Sequence, residues 1–541
     1  MNRVIPGGKT KEINRLFGRI IAFLSTAYVL FYLCIFPSCV HNKYFDILNF
    51  RFELFWKPTF VMGIVFLLLG AGYLLADRLY NGGSIKKDWK EERKTLGLKK
   101  YLKEKLTKGD VLFLALLLCI TISTAFAEYP YEAFWGNRGR NYGLLLWLMY
   151  GVAYILVTRF YRLREWHFYA FLLGGLVPCI WGICNFFMID FGYFEQVDPE
   201  KAYIFASSIG NINTYTNYVG MIFGASAAAF VLGKTKVWEG ISFIVAVISL
   251  TAGIMGKSDN VILWIAAFFC MLPFIAWNTK REFEKYSILG FLVFVAMLFV
   301  GSLVNSGMAT MNDVDPGTLI ELGRKSWMPV VTVCVLLFVL AIGYGRKRAE
   351  ALPTKRLRQC WGILLAALFT LVVVLLVITN TGSLPTALEP YRNFLVFSDA
   401  WGTGRGLAWR LGTEYWIHDT TLFTKLFGYG PDTYYIITMD RFMNIMQDAG
   451  YGIFDSAHNE YFEYFITIGI VGVILYIWFL IYTVKKGMGE KDVKKGYIKK
   501  CMSVACVAYA VQAVVNIAIP ITTVVFMLLV MAIYSGYREE N

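Results

Sequence analysis

The sequence predicts an all-α integral membrane protein with about 14 transmembrane helices and one long extracytoplasmic loop. The chain of 541 residues is 57% hydrophobic with a mean hydropathy of +0.53, which is too apolar for a soluble protein of this length. Apolar windows of roughly 17–25 residues, long enough for a helix to cross a bilayer, recur along it. Lysine and arginine concentrate in alternate connecting segments, as expected of a multi-pass protein.

Polar or charged segments separate the predicted spans, and each span is an uninterrupted apolar window. In chain order they lie near residues 18–36, 59–76, 110–127, 143–159, 167–189, 215–233, 239–256, 261–277, 287–305, 328–345, 360–379, 461–484, 500–518 and 520–536.

The distribution of positive charge predicts the orientation of the chain. With both termini in the cytoplasm, the cytoplasmic segments hold 38 of the 52 lysine and arginine residues. The positive-inside rule favours this arrangement, and an even number of spans agrees with it. The net charge of +14 then faces anionic lipid, and its scatter over many short loops argues against nucleic acid as a partner.

The organisation predicted is a membrane core with a small N-terminal addition. Residues 1–108 hold two spans and a basic cytoplasmic linker, and residues 109–541 hold the core with a large extracytoplasmic loop at 380–460. We expect no cleavable signal peptide. The ten cysteines lie in or beside spans, so neither a disulfide framework nor a thiolate metal site is expected. The long loop is rich in aromatic and aliphatic residues and should fold into short helices.

A histidine motif stands where the long loop enters the twelfth span. It reads His458-Asn459, nine residues, Gly469, two residues, Gly472. Asp455 and Ser456 are suitable helix N-caps, which would place His458 in the first helical turn, where the helix dipole favours a neutral imidazole. Such a group can accept a proton from a sugar hydroxyl. The alternative is an interfacial histidine that only caps the helix. The two glycines are interpreted as packing residues that admit a neighbouring backbone.

Two further segments of the same loop carry residues suited to binding a phosphate. The segment 404–410 contains Arg405, Trp409 and Arg410, and arginine offers a fork of donors that matches phosphate oxygens. Trp409 shares a helix face with Arg405 and could brace it. The alternative is a pair of arginines that reach lipid headgroups. Gly428 and Gly430 mark a tight turn with a shaping role.

Three segments outside the long loop complete the motifs. Residues 135–143 hold Arg138 and Arg140 at the outer entrance of the fourth span, with lipid contact as the alternative. Residues 208–213 hold Asn211 and Asn213, for which helix capping is the main alternative to sugar binding. The acids of the long loop that could accept a proton are Glu414, Asp419, Asp432 and Glu460.

Together these motifs resemble the bacterial O-antigen ligase and O-antigen polymerase family. The resemblance is most specific over residues 404–472. Weaker similarity extends back to Trp135, and the first 100 residues show none. It implies a GT-C-like membrane glycosyltransferase of the cytoplasmic membrane that uses a polyprenyl (undecaprenyl) diphosphate-linked glycan. One departure lies in the segment 256–260, where Asp259 stands at the position that is an arginine in many members, and Lys257 could supply the positive charge instead.

The resemblance also implies roles for the site residues. His458 and Arg405 are the implied catalytic residues. The implied substrate-binding residues are Arg140, Arg138, Arg410, Lys257, Asn459, Asn211 and Asn213. The reaction would invert the anomeric carbon, without a metal or other cofactor. Residues 457–461 look more like those of members from bacteria without lipopolysaccharide, which favours a capsule-type surface polysaccharide polymerase.

Two other functions remain open at this point. The first is an O-antigen-type ligase that transfers the glycan to a cell-envelope or protein acceptor. The second belongs to another class, a polysaccharide flippase with about fourteen spans. A flippase predicts two related halves and short outer loops, whereas this chain has one dominant outer loop.

Overall fold

The computed structural model describes residues 8–42, 45–137, 139–191, 204–233, 235–308, 316–343, 353–382, 384–451, 454–490 and 493–537. Among these residues, ten helices are long and apolar enough to cross a membrane, and four shorter helices are equally apolar. Each of the fourteen predicted spans coincides with one of these fourteen helices. The prediction of an all-α multi-pass membrane protein is therefore confirmed.

The helices of the N-terminal half follow the predicted order of spans. They are α1 (Gly8–Leu30, continued by a π-helical turn Phe31–Ile35 and a 3-10 turn Phe36–Ser38), α2 (Ile47–Asn81), α3 (Ser84–Leu96), α4 (Leu98–Lys105), α5 (Lys108–Ala125), α6 (Pro130–Trp135), α7 (Leu144–Ile155, continued by a π-helical turn Leu156–Phe160), α8 (Glu165–Phe186), α9 (Ile212–Leu232), α10 (Lys236–Met255), α11 (Asn260–Met271, continued by a 3-10 turn Leu272–Phe274) and α12 (Lys280–Asn305). The basic linker of the sequence is α3 and α4.

The C-terminal half contains the long loop, which folds into short helices as predicted. Its elements are α13 (Thr318–Gly323), α14 (Met328–Gly343), α15 (Thr354–Thr381), a 3-10 turn (Thr386–Tyr391), α16 (Arg392–Leu395), α17 (Trp401–His418), α18 (Leu422–Phe427), α19 (Tyr434–Asp448), α20 (Glu460–Thr467), α21 (Gly469–Met488), α22 (Val493–Gln512, continued by a 3-10 turn Ala513–Val515) and α23 (Pro520–Tyr534).

In the part of the chain that the structure describes, four two-residue strands pair at the ends of helices. β1 (Arg162–Leu163) runs parallel to β4 (Gly536–Tyr537), with Arg162 opposite Gly536. β2 (Phe205–Ala206) runs antiparallel to β3 (Gly210–Asn211), with Phe205 opposite Asn211. The second pair forms the hairpin that leads directly into α9.

The helices differ sharply in how much of their surface other helices cover. In α9, 89% of the apolar window is buried, whereas in α2 and α15 the figure is 6%. Helix α9 therefore lies at the centre of the bundle, and α2 and α15 turn most of their apolar surface towards lipid. A second, smaller hydrophobic core lies inside the long loop, where Leu407, Tyr434 and Met446 are buried together.

The two N-terminal spans pack directly on the rest of the bundle. Side chains of both spans, including Val29 and Phe55, belong to the same hydrophobic core as α7, α8 and α23. Arg51 of α2 is completely buried and donates hydrogen bonds to the carbonyl oxygens of Pro37 and Ser208, each at 2.9 Å. The bundle thus holds this pair of helices firmly, and the predicted boundary at residue 108 remains a prediction.

The twelfth predicted span is not one continuous helix. Helix α20 ends at Thr467, and α21 begins at Gly469, whose φ of +73° is in the left-handed region. A break frees backbone groups that a helix would otherwise pair, and these must find partners. The Thr467 carbonyl oxygen accepts from the Gly430 N–H at 2.9 Å and from the Ser123 hydroxyl at 3.1 Å. The expectation of a single helix over 461–484 was wrong because this tertiary contact replaces the local one.

Candidate active site

The structure brings the predicted catalytic histidine into the electrostatic field of two predicted arginines. His458 lies partly buried on the loop segment that leads into α20. Its pKa is lowered to about 4, first by burial and then by the positive charges of Arg405 and Arg140, against a smaller opposing effect of Asp455. Three residues from distant parts of the sequence therefore share one site. The His458 imidazole in this site is neutral at neutral pH.

The position of His458 relative to the helix differs from the prediction. The N-cap of α20 is Asn459, whose side-chain oxygen accepts from the N–H groups of Tyr461 at 3.0 Å and Phe462 at 3.1 Å. His458 therefore precedes the helix, with a left-handed φ of +49°. Ser456 caps the His458 N–H at 3.2 Å and does not cap the helix. The expected N-cap was misplaced because Asn459 competes with Ser456 and lies nearer to the first helical turn.

Both backbone polar groups of Ala457, the residue before His458, form hydrogen bonds with side chains. Its N–H donates to Glu463 Oε2, and its carbonyl oxygen accepts from the indole N–H of Trp409, both at 2.8 Å. The Trp409 ring packs on Trp401, with 5.1 Å between centroids. The structure thus gives Trp409 a hydrogen bond to the histidine segment, which differs from its predicted role as a brace for Arg405.

Arg140 is buried and already has a carboxylate partner. Its guanidinium lies 2.5 Å from Asp455 Oδ1, and only 7% of the Arg140 side chain is exposed, against 60% for Asp455. The loop that carries Arg140 is thereby joined to the segment that carries His458. Arg138 lies outside the described residues, so its predicted role is not tested.

Arg405 differs from the other arginines of the site in its partners. Its Nη1 donates to the Gly402 carbonyl oxygen at 2.8 Å, while its buried Nε has no hydrogen-bond partner among the described residues. Burial lowers the pKa of this guanidinium. A partly buried cation whose buried Nε has no partner among the described residues is costly unless an anion joins it, which makes Arg405 the better placed of the two arginines to bind one.

Arg410 faces away from this arrangement. It is exposed and forms a two-pronged ion pair with Asp399, at 2.8 Å for each nitrogen–oxygen contact. Glu414 lies 3.6 Å away on its other side. Its guanidinium is therefore occupied at the protein surface, and its predicted role in substrate binding gains no support from this geometry.

A cavity lined by charged and apolar residues lies beside the histidine segment. Its lining includes Arg140, Asp432, Asn459 and Glu463, together with apolar contacts from Ile517 and Ala518. The Glu463 oxygen that does not bind Ala457 is buried without a hydrogen-bond partner among the described residues. The cavity thus offers polar groups of both signs next to the residues that hold His458.

The sequence did not single out Glu463. Glu463 is the fourth residue after the N-cap Asn459, one position beyond the spacing of a capping box, so no local motif singles it out. Glu460, considered as a proton acceptor, is instead buried and accepts from the hydroxyls of Tyr476 at 2.5 Å and Tyr509 at 2.8 Å. It joins α20 to α21 and α22.

The glycine turn of the long loop packs against the break between α20 and α21. A Cβ on Gly428 would lie 2.2 Å from the Thr467 carbonyl oxygen, and a Cβ on Gly469 would lie 2.4 Å from the Leu426 backbone. Gly428 and Gly469 therefore permit two backbones to touch. A Cβ on Gly472 would meet the side chain of Ile468 at 2.6 Å, so its neighbour belongs to its own chain segment rather than to another helix.

Replacing Gly469 by alanine should destabilise the protein far more than replacing Gly450. Both glycines have similar positive φ, +73° and +76°, but a Cβ on Gly450 meets no atom within 4 Å. Gly450→Ala should lower the free energy of unfolding by about 1 kcal/mol, the cost of a left-handed alanine. Gly469→Ala adds a backbone overlap, and we expect a loss of about 3 kcal/mol or more. Melting temperatures in detergent test this, and equal shifts would contradict it.

The remaining predicted residues form hydrogen bonds outside this cluster. Asn211 caps α9 through the N–H of Asn213 at 2.9 Å. The Asn213 side-chain oxygen accepts from Ser258 at 2.7 Å and Asn260 at 3.1 Å, which joins two helix ends. Lys257 lines a separate cavity with Asp259. Their roles in substrate binding remain predictions.

The fold and the site define a class: a multi-pass membrane protein with a neutral histidine, a buried arginine and a partly buried arginine where a folded loop enters a broken helix. Residues 319–477 match a family model described as O-antigen ligase. This match confirms the family resemblance predicted from the sequence and covers Arg405, the glycine turn and His458. It supports a membrane glycosyltransferase of the O-antigen ligase and polymerase type. A search of curated proteins found no match to the chain.

Proposed function

We propose that the protein transfers or polymerises glycan units from an undecaprenyl diphosphate-linked donor on the outer face of the bacterial cytoplasmic membrane. The form we favour is a surface polysaccharide polymerase. The observation that carries this proposal is that the His458 segment is bound on both sides by arginine-bearing segments: Arg140 pairs with Asp455 at 2.5 Å, and the indole N–H of Trp409, on the helix of Arg405, donates to the Ala457 carbonyl oxygen at 2.8 Å.

The chemistry proposed is a single displacement that needs one base and two fixed cations. An acceptor hydroxyl gives its proton to the His458 imidazole, and its oxygen forms a bond to the anomeric carbon. The bond between that carbon and the diphosphate oxygen breaks, so the configuration inverts and the diphosphate leaves with the electron pair. Arg405 binds the leaving diphosphate, and Arg140 adds positive charge beside it. Fixed cations in a water-poor site can supply this stabilisation without a metal ion.

The low pKa of His458 supports a donor-first order. A base with a pKa of about 4 is weak at neutral pH, because a general base works best when its pKa is near the working pH. A bound diphosphate would offset the positive charges of Arg405 and Arg140 and so raise the pKa of His458. The base would then reach full strength only when a donor is in place.

The proposal is tested with purified protein in liposomes and a polyprenyl diphosphate-linked oligosaccharide, without divalent metal. We expect release of polyprenyl diphosphate and a ladder of lengthened glycans from the wild type. Transfer that requires a separately added acceptor would instead establish the ligase alternative. Passage of the intact donor across the membrane without bond cleavage would contradict the proposal in favour of a flippase.

A further inference from the structure

A carboxylate in the glycine turn of the long loop binds the segment that carries Arg140. Asp432 Oδ2 accepts hydrogen bonds from the N–H of Asn137 at 2.7 Å and from the N–H of Tyr142 at 2.9 Å. These two donors lie on either side of Arg140 in the sequence, and they are about 290 residues from Asp432. One carboxylate oxygen thus bridges Asn137 and Tyr142, the two described residues that flank Arg140.

The surrounding backbone is built for this contact. A Cβ on Gly136 would lie 2.7 Å from Asp432 Oδ2, so glycine is required for the approach. Asp432 has a φ of +60° and Asn141 a φ of +54°, conformations that cost free energy unless neighbouring contacts hold them. The Asp432 hydrogen bonds supply such contacts on the Arg140 side.

Asp432 also faces the charges of the site. It lines the same cavity as Arg140 and Glu463 and is 8% exposed. Burial raises its pKa to about 6, with Arg140 and the two backbone N–H groups acting in the opposite direction. A carboxylate is costly to bury, and the two backbone N–H groups that Asp432 accepts offset part of this cost.

We propose that Asp432 is a positioning residue for the donor: by binding Asn137 and Tyr142 on either side of Arg140, it holds the Arg140 guanidinium where it meets the lipid-linked diphosphate. This inference rests on the proposed function. The glycine turn, to which Asp432 belongs, would then contribute to donor binding as well as to the shape of the loop. Asp432 acts through Arg140 and has no contact of its own with the diphosphate.

The test measures binding of polyprenyl diphosphate, without a glycan, to the full-length protein in detergent. Intrinsic tryptophan fluorescence reports the Kd, and glycan transfer is measured on the same preparations. Asp432→Ala removes both hydrogen bonds and should raise the Kd by about tenfold or more, as expected for two charge-assisted bonds. Asp432→Asn keeps an oxygen that accepts both N–H groups, so its Kd should stay within about threefold of the wild-type value.

A double-mutant cycle separates positioning from a general structural role. If Asp432 acts through Arg140, the Arg140→Ala and Asp432→Ala double variant should bind with the Kd of Arg140→Ala alone. A further rise in the double variant, or a wild-type Kd for Asp432→Ala, would overturn the inference. A loss of binding in Asp432→Asn at an unchanged melting temperature would do the same. Absence of binding and transfer in the wild type would overturn the proposed function, and the inference with it.

Discussion

Replacing His458 should abolish glycan transfer while leaving the folded protein intact. A positioned general base contributes about 10²–10⁴ in rate, so the turnover of His458→Asn should fall by at least about a hundredfold. Asparagine is the variant of choice because the backbone here is left-handed, with a φ of +49°, and asparagine tolerates that conformation well. Release of polyprenyl diphosphate per unit time is the measurement.

The control for this variant is His418→Ala. His418 is exposed at the end of α17, so its loss should leave the rate unchanged. Melting temperatures of both variants should lie close to the wild-type value. Normal turnover of His458→Asn at wild-type protein levels would remove His458 from the mechanism.

The pH dependence of the reaction should reflect the protonation of His458. His458 must be unprotonated to act as a base, and its pKa is lowered to about 4 by burial and by the charges of Arg405 and Arg140. The ratio kcat/KM reports the free enzyme, so it should stay level as the pH falls and decline only near pH 4. A bound donor should move the decline in kcat to a higher pH. A decline of kcat/KM at the ordinary histidine value would contradict the arrangement described.

Replacing Arg405 should produce the second large effect. Loss of a preorganised group that stabilises developing charge typically lowers kcat by about 10²–10³, and we expect Arg405→Ala to fall in this range. Arg405→Lys keeps the charge but loses the forked geometry, so it should recover only part of the activity. Turnover and the affinity for polyprenyl diphosphate are measured together, because the guanidinium should serve both.

Arg410→Ala is the matched control for Arg405. Arg410 lies on the same helix but is exposed and paired with Asp399, so its removal should change the rate little. Arg405→Ala should also raise the pKa of His458, since a positive neighbour is lost, and move the decline of kcat/KM to a higher pH. An unchanged pH profile would show that the two side chains do not share a site.

Much of the fold could be predicted from the sequence, because the length of an apolar segment is a local property of the chain. Fourteen spans were predicted from apolar windows; among the described residues, ten of them overlap helices long and apolar enough to cross a membrane, and four overlap shorter apolar helices. The motif around His458 and the segment with Arg405 pointed to the family, and the match to residues 319–477 agrees with them. The roles of the individual site residues remain predictions.

Other features depended on contacts between distant residues. The break between α20 and α21 is invisible in a run of apolar residues, because the partner of the freed Thr467 carbonyl oxygen is Gly430 of the long loop. The hydrogen bond from the Ala457 N–H to Glu463 depends on the path of the backbone before α20, which no local motif indicates. Trp409 shares a helix with Arg405, yet its indole N–H binds the histidine segment.

The sequence by itself determined the membrane class, the spans and the residue types of the site, since apolar length and short motifs are read within one segment. Only the tertiary structure decided which charges meet. It placed Arg140 beside Asp455, closed the Arg140 loop on Asp432, and left Arg410 paired at the surface. Electrostatic interactions depend on separation in space, and a chain that crosses the bilayer repeatedly brings together residues hundreds of positions apart.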